Sequence, residues 1–156
     1  MKTTIIATGK LKERYWREAC AEYAKRLSAT TTLEVVELPD RDPARLGPVR
    51  ALALEAEAIL KALPAGTFRL IALDIKGRAF SSEELSAHLE ALKNSGCSHL
   101  CFVIGSSHGL APEILERADE LLSFGPITLP HNLARVVLLE QLYRAASIAA
   151  GSPYHK

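Results

Sequence analysis

The apolar residues of this chain change their spacing repeatedly, from the period of a strand to that of a helix. Short β-branched or apolar runs occur at 3–8, 33–38, 68–74 and 100–104. Segments with helical spacing occur at 11–27, 49–63, 81–92, 113–122 and 133–150, with a turn at 76–78 and an extended piece at 124–129. Strands that alternate with helices form mostly parallel sheets covered on both faces. The sequence therefore predicts one α/β domain over residues 1–156.

Composition and the N-terminal sequence limit the class of protein. The chain is 48% hydrophobic and 24% charged, which is ordinary for a folded domain and excludes disorder as the default. No apolar run approaches the roughly 20 residues of a membrane span. The start, MKTTIIATGKLKERYW, lacks the apolar core and cleavage site of a signal peptide. We expect a cytoplasmic protein with no membrane partner.

The three cysteines predict reduced thiols. Their number is odd and their spacing matches no disulfide framework. Cys97, His99 and Cys101 alternate in a way that hints at a metal. A structural zinc site needs four ligands in paired clusters, and the sequence has no second cluster. We expect no metal.

The last helical segment suggests a homodimer. It is apolar almost all the way round, with its main polar interruptions at Arg135, Glu140, Gln141, Arg144 and Ser147. A helix of this kind is buried on most sides, and one short domain can rarely cover a terminal helix completely. A second subunit is the simplest source of the missing cover. It would bring the tail 153–156 to the subunit boundary.

Three strand ends are candidates for a ligand site, because open α/β sheets bind ligands at the carboxyl ends of their strands. They are Leu73-Asp74, the loop 105–109 and the segment 125–129. The glycine loop IGSSHG has neither the Lys-Ser/Thr pair of a phosphate-binding loop nor the glycine spacing of a dinucleotide site. By itself it is more simply a turn into a helix.

Three longer motifs carry a specific resemblance. IALDIKGRAFSSEELS, FVIGSSHGL and TLPHNLARVVLLEQLYRAASIAAGSPYHK together closely resemble the RlmH family, small SPOUT-class methyltransferases that act on pseudouridine in the 23S ribosomal RNA of the large subunit. The resemblance runs through the whole chain and is densest at 70–109 and 128–156. The series LPH, R, LYRA and PYHK is far more specific than a glycine loop.

The resemblance implies a SPOUT fold with a C-terminal trefoil knot, an exception to the rule that chains do not thread. It also implies a homodimer that binds S-adenosylmethionine and methylates N3 of a pseudouridine on the ribosome. Two departures from the family pattern, at Ser106 and at Gly125-Pro126, keep the residues small, so we expect cofactor binding to survive. By the matching motifs, the cofactor contacts fall on Leu73, Gly105, Phe124, Gly125, Pro126, Ile127, Thr128 and Leu129.

Proton removal and RNA contact are expected near the chain's end. His131 and His155 are candidates to take the N3 proton, with His108 as a weaker one; helix capping is an equal alternative for His131. Arg135 and Arg144 are expected to contact RNA and assist catalysis, although Arg144 could instead pair with Glu140. The expected RNA-binding set is Lys12, Arg14, Arg17, Arg135, Arg144, Tyr154, His155 and Lys156.

Three alternatives stay open. A flavodoxin-like or nucleotide-binding protein would bind phosphate at the glycine loop, although the phosphate fingerprint is missing. A non-catalytic dimeric module would bind ribosomes without binding the cofactor. A SPOUT methyltransferase with another RNA target would share the pocket and differ in substrate. The sequence also leaves open the proton acceptor, the need for prior pseudouridylation, and whether an active site is shared between subunits.

Overall fold

The computed structural model describes residues 1–155 and, of His155, the backbone alone. Five parallel strands form one sheet in the order β2-β1-β4-β3-β5. Sequence order and spatial order differ, so the chain crosses over the sheet between most strands. The strands are β1 (Lys2–Thr8), β2 (Thr32–Leu38), β3 (Arg69–Ala79), β4 (His99–Ile104) and β5 (Glu120–Ser123).

Helices cover both faces of the sheet, as the alternating pattern predicts. One face carries α1 (Arg14–Leu27), α4 (Ser82–Asn94) and α6 (His131–Ala149), and α6 packs against both α1 and α4. The other face carries α3 (Pro48–Ala62) and α5 (Pro112–Arg117), with α2 (Pro43–Leu46) beside α3. A short 3-10 turn, Pro153–His155, follows α6.

Each face has its own apolar core. Phe102, Ile5 and Leu138 belong to the core under α1, α4 and α6, whereas Val103 and Ile114 belong to the core under α3 and α5. The central strand β4 is buried along its whole length. This explains its unbroken apolar run, since a central strand of a parallel sheet meets a helix layer on each side.

Helix α4 begins with a capping box formed by Ser81 and Glu84. The Ser81 hydroxyl accepts a hydrogen bond from the Glu84 backbone N–H at 3.1 Å, and the Glu84 carboxylate accepts one from the Ser81 N–H at 2.7 Å. Two of the amide groups that a helix start leaves unpaired are thereby satisfied.

Two local predictions are wrong. The turn at 76–78 is absent, because β3 continues through it with a register shift against β5. Gly77 allows this: a Cβ there would lie 2.6 Å from the Leu121 carbonyl carbon. The helix predicted to run to residue 122 ends at Arg117, since Asp119 exchanges two hydrogen bonds with the Leu70 backbone and leads the chain into β5.

Tyr15 is exposed although the segment 11–27 repeats its apolar residues at helical spacing. Its side chain is 62% exposed. Trp16 packs against the core instead, and the two rings touch at a centroid distance of 5.1 Å. Among residues 1–155, no helix combines the length and the apolar character that a membrane span needs.

His99 makes the stability of the fold sensitive to acid. The ring is buried at the start of β4, with Nε2 2.9 Å from the Thr4 hydroxyl. Burial, with a smaller contribution from the charge of Lys2, lowers the pKa of His99 below 6.5. Since the unfolded chain binds this proton more readily, the stabilisation is complete above about pH 6.5 and is lost as the pH falls towards the lowered pKa.

We expect the free energy of unfolding, measured with urea, to fall between about pH 7 and about pH 5. His99→Gln keeps a neutral polar group and removes the titration, so its pH profile should be flatter than that of the wild type. Identical slopes for the two proteins would show that His99 has no part in the effect.

Candidate active site

A cavity of about 550 Å³ lies at the carboxyl ends of β3, β4 and β5. Three segments build it: the end of the first half of β3, the glycine loop after β4, and the loop between β5 and α6. It is lined by Leu73, Asp74, Ile75, Ile104, Gly105, Ser106, Ser107, Gly109, Leu122, Ser123, Phe124, Gly125, Ile127, Thr128, Leu129, Pro130, His131 and Ala134.

Seven of the eight residues expected to contact a cofactor lie in this lining, separated by up to 56 positions in the sequence. Pro126 is the eighth; it is exposed in the same loop and is not among the lining residues. The parallel sheet brings the segments together, because the carboxyl ends of all five strands meet at one edge.

The glycine loop turns back on itself at the cavity wall. Ser106 and Gly109 form an isolated antiparallel bridge, and the Gly109 N–H donates to the Ser106 carbonyl at 2.9 Å. A Cβ on Gly105 would lie 2.5 Å from the Gly109 carbonyl carbon and closer still to its oxygen. Only glycine fits at position 105 without moving the loop.

A buried carboxylate anchors this loop from behind. Glu55 of α3 is 4% exposed and accepts hydrogen bonds from the Ser106 hydroxyl and the Arg41 N–H, both at 2.9 Å. Sequence reasoning missed Glu55. The sequence could have indicated it, because Glu55 lies four residues from both Ala51 and Ile59 and so shares their buried side of the helix.

The loop 124–129 forms the opposite wall. Gly125 has a φ of +99°, a conformation that favours glycine, and its N–H donates to the Ser123 hydroxyl at 3.1 Å. Phe124 and Leu129 pack against the core, whereas Ile127 is 66% exposed at the rim. The wall therefore offers backbone groups and apolar side chains rather than charges.

In the described part of the chain, the lining carries no cationic side chain to hold a phosphate. Within the described residues that line the cavity there is no Lys or Arg, and Asp74 is the acid among them. Anionic phosphates prefer cationic or amide-rich sites at helix starts. A positively charged ligand that carries an aromatic base suits these walls better than a phosphate does. This argues against the nucleotide-binding alternative.

His131 stands where the cavity meets the end of β1. It is the first residue of α6 and lines the cavity. A Cβ placed on Gly9 would lie 3.1 Å from His131 Nε2, so the ring rests against the Gly9 backbone. Pro130 at the helix cap supplies no side-chain hydrogen bond.

Arg135 has a different place from the one expected. Its side chain is only 3% exposed; it pairs with Glu37 of β2 and donates to the Gly9 carbonyl at 2.6 Å. A guanidinium buried in this way presents no surface to RNA, so the expectation of an RNA contact at Arg135 is corrected to an internal one. The pKa of the nearby Cys20 thiol is raised mainly by burial, an effect that Arg135 opposes.

The tail folds back onto the second half of its own α6. The Tyr154 hydroxyl donates to Glu140 at 3.3 Å, and its ring lies 4.6 Å from that of Tyr143. Arg144 donates twice to the same Glu140 oxygen and lies over the Tyr154 ring at 4.8 Å. The Glu140–Arg144 pair that was the structural alternative is thus present. The predictions for Lys156 and for the His155 side chain lie outside the described residues.

The remaining basic residues expected at RNA surround the loop after β1. Lys12 is exposed, and Arg14 is exposed in an ion pair with Glu18 at 2.6 Å. Arg17 donates to the carbonyls of Leu11 and Lys12, so it also shapes this loop. His108 is exposed on the glycine loop and is not among the residues that line the cavity.

Elsewhere the structure offers less chemistry. A second cavity of about 280 Å³ lies at the opposite end of β1, between the ends of α1, α4 and α6, and includes none of the expected site residues. Of the residues described, no three His, Cys, Asp or Glu side chains are grouped to hold a metal. Cys97 and His99 instead share a bond from the Cys97 thiol to the His99 carbonyl at 3.5 Å.

Known proteins are similar in sequence to this chain over nearly its full length. The family model described as predicted SPOUT methyltransferase matches residues 1–155. A protein of Carboxydothermus hydrogenoformans named ribosomal RNA large subunit methyltransferase H is 51% identical over 100% of both chains. One of the same name from Rubrobacter xylanophilus is 53% identical over 99% of this chain and 98% of its own. The chain belongs to this SPOUT methyltransferase family.

Solved structures show the SPOUT fold at low identity. A chain from Bordetella pertussis described as a probable methyltransferase has a TM-score of 0.56 and 17% identity, over 93% of this chain and 96% of that one. A Legionella pneumophila methyltransferase structure with the bound cofactor SAM has a TM-score of 0.53 and 12% identity, over 93% and 66%. The SPOUT-type parallel sheet with helices on both faces is confirmed; the trefoil knot stays a prediction.

Glu140 should control where the tail of this SPOUT protein lies. Glu140→Ala removes the acceptor shared by Arg144 and Tyr154, so we expect faster amide hydrogen exchange at Ser152 and Tyr154 and a loss of about 1–2 kcal/mol of stability. Glu83→Ala, an exposed acid on α4, is the matched control and should leave exchange in the tail unchanged. Wild-type exchange rates in Glu140→Ala would rule out this role.

Proposed function

We propose that this SPOUT protein uses S-adenosylmethionine to methylate N3 of a pseudouridine in large-subunit ribosomal RNA, on the assembled ribosome in the cytoplasm. One observation carries the proposal: the three segments that match the family's cofactor motifs line a single cavity, and a histidine stands at its edge. The relatives named ribosomal RNA large subunit methyltransferase H support the ribosomal target. Another RNA target is the alternative.

The walls of the cavity suit this cofactor. Backbone of the two loops that contain Gly105 and Gly125 would lie beside an adenine, and Leu73, Phe124 and Leu129 can pack against its faces. Asp74 gives the wall a negative charge. S-adenosylmethionine supplies a methyl group on a positively charged sulfur, so neither a metal nor a phosphate cradle is required.

His131 is the described residue best placed to take the N3 proton. It is the first residue of α6 and lines the cavity, and an imidazole nitrogen can accept a proton. With the imide proton on His131, N3 would carry a negative charge, and a bound S-adenosylmethionine would supply the methyl group as its carbon–sulfur bond breaks and S-adenosylhomocysteine is left. A water-poor cavity with apolar walls favours such a reaction. His155 is the second candidate for this step.

The tail points to a shared active site. Helix α6 starts at the cavity and has 19 residues, so its far end lies roughly 27 Å away at 1.5 Å per residue. Tyr154 then returns only as far as Glu140, about 13 Å along the axis from His131. Tyr154 therefore does not reach the cavity of its own subunit, and we propose that the tail serves the cavity of a second subunit.

The RNA would then contact residues at two places. Lys12, Arg14 and Arg17 lie on the loop and helix that follow β1, at the same sheet edge as the cavity. The second place is formed by Arg144 and Tyr154, whose side chains are in contact. His155 and Lys156 follow Tyr154 in the sequence. The net charge of +1 predicts weak binding to free RNA, so we expect recognition of the ribosome by shape as well as charge.

Calorimetry and ribosome methylation test the proposal together. The protein should bind S-adenosylmethionine and transfer its methyl group to ribosomes, with the product identified as N3-methylpseudouridine by mass spectrometry of nucleosides. Gly105→Ala forces a Cβ into the loop backbone, so we expect binding weaker by about tenfold or more. His108→Ala, on the exposed side of the same loop and outside the cavity lining, should bind normally.

The outcomes separate the alternatives. Binding without methylation of ribosomes would point to another RNA target. No binding by folded protein and no methylation would leave the non-catalytic module, and a methylated atom other than N3 would correct the chemistry.

Mixed dimers test the shared site. One chain carries Gly105→Trp, whose side chain cannot fit beside the Gly109 backbone, and the other lacks residues 153–156, and each variant alone should be nearly inactive. If the tail serves the partner's cavity, the mixed dimer keeps one intact site and should recover up to about a quarter to a half of wild-type activity, depending on subunit exchange. No recovery in dimers shown to be mixed would mean that each subunit uses its own tail.

A further inference from the structure

The end of β1 is fixed by polar contacts that the proposed chemistry does not use. The Gly9 N–H donates to the Leu38 carbonyl of β2 at 2.7 Å, and its carbonyl accepts from Arg135 at 2.6 Å. Gly9 has a φ of +100°. The residue against which the His131 ring rests is therefore held from two sides.

Glu37 completes this arrangement. Its carboxylate pairs with the Arg135 guanidinium from β2, while the arginine side chain itself is buried. A buried guanidinium without a counter-charge would be costly, so Glu37 is needed to keep Arg135 in the interior. We name the set Glu37, Arg135 and Gly9 the β1 clamp.

The clamp and His131 belong to one rigid unit. His131 and Arg135 are four residues apart on α6 and therefore lie on the same side of the helix. Arg135 ties this first turn to the Gly9 carbonyl, and Gly9 in turn meets the His131 ring. Within the described residues, two buried side-chain atoms lack a hydrogen-bond partner, and both belong to this region: Arg135 Nε and Thr8 Oγ1.

We infer that Glu37 is a positioning residue for His131, acting through Arg135. The carboxylate holds the guanidinium, the guanidinium holds the first turn of α6 against Gly9, and the His131 ring is thereby aimed along the cavity wall. The catalytic part of this inference rests on the proposed function, whereas the geometric part does not.

Two measurements separate these parts. The ring resonances of His131, assigned by comparison with His131→Gln, report its surroundings by NMR without any substrate. Turnover on ribosomes and calorimetric affinity for S-adenosylmethionine report the reaction. Glu37→Ala should shift the His131 resonances and lower kcat by about tenfold or more, with cofactor affinity within about twofold, because the clamp is not part of the cofactor walls.

Matched variants control for charge and for general instability. Glu37→Gln keeps an oxygen that can accept from Arg135, so it should recover part of the lost kcat. Glu34→Gln removes an equivalent acid from the same strand, where Glu34 pairs with Lys2 at 3.1 Å, and should change neither measurement. Since Glu37 acts through Arg135, Glu37→Ala combined with Arg135→Lys should be little worse than Arg135→Lys alone.

The results decide between the parts of the inference. Unshifted His131 resonances in folded Glu37→Ala would overturn the clamp. Shifted resonances with normal kcat would overturn its role in positioning for catalysis, as would fully additive losses in the double variant. A wild type inactive on ribosomes would instead refute the proposed function, while the NMR comparison would still decide the geometry.

Discussion

The burial of β1 and β4 on both faces is the constraint on which the site depends. Helices cover each side of these central strands, so neither face of β1 or β4 is open to a ligand. All five strands run in the same direction, and their carboxyl ends therefore deliver their loops to one edge. Leu73, Gly105 and Phe124 meet there although they are distant in sequence. The common direction of the strands, rather than any particular side chain, therefore sets the position of the cavity.

Close backbone approach then shapes the cavity. The loop after β4 closes tightly because Gly105 has no Cβ to strike the Gly109 carbonyl, and Glu55 secures it through Ser106. Ser106 was noted in the sequence only as a small residue that departs from the family pattern. Its hydroxyl gives the buried Glu55 carboxylate a donor, which a second glycine could not do. The departure is thus matched by a specific contact rather than merely tolerated.

Most of the fold could be predicted from the spacing of apolar residues and from helix-capping residues. The wrong predictions share one cause. Isolated elements such as β4 and the α4 capping box follow from local sequence. Gly77 resembled a turn residue, but it lies inside β3 because the β5 backbone passes too close for a side chain. Arg135 was predicted to contact RNA because its actual partners are not evident from the sequence. These partners, Glu37 and Gly9, are about 100 residues or more away in the chain. Such pairings are set by topology, which one sequence does not display.

Helix α6 joins stability and chemistry in one element. Its first turn carries His131 at the cavity, its middle contributes Leu138 and Leu142 to the core, and its second half holds the tail through Glu140. A rigid helix transmits a shift at one point to the others, because packed interiors have little room to absorb it. A core substitution near Leu138 would therefore change the orientation of the His131 ring as well as destabilise the fold. Loss of activity from such a variant would not by itself identify a catalytic residue, which is why contacts outside the core, such as Glu37, are the more informative ones.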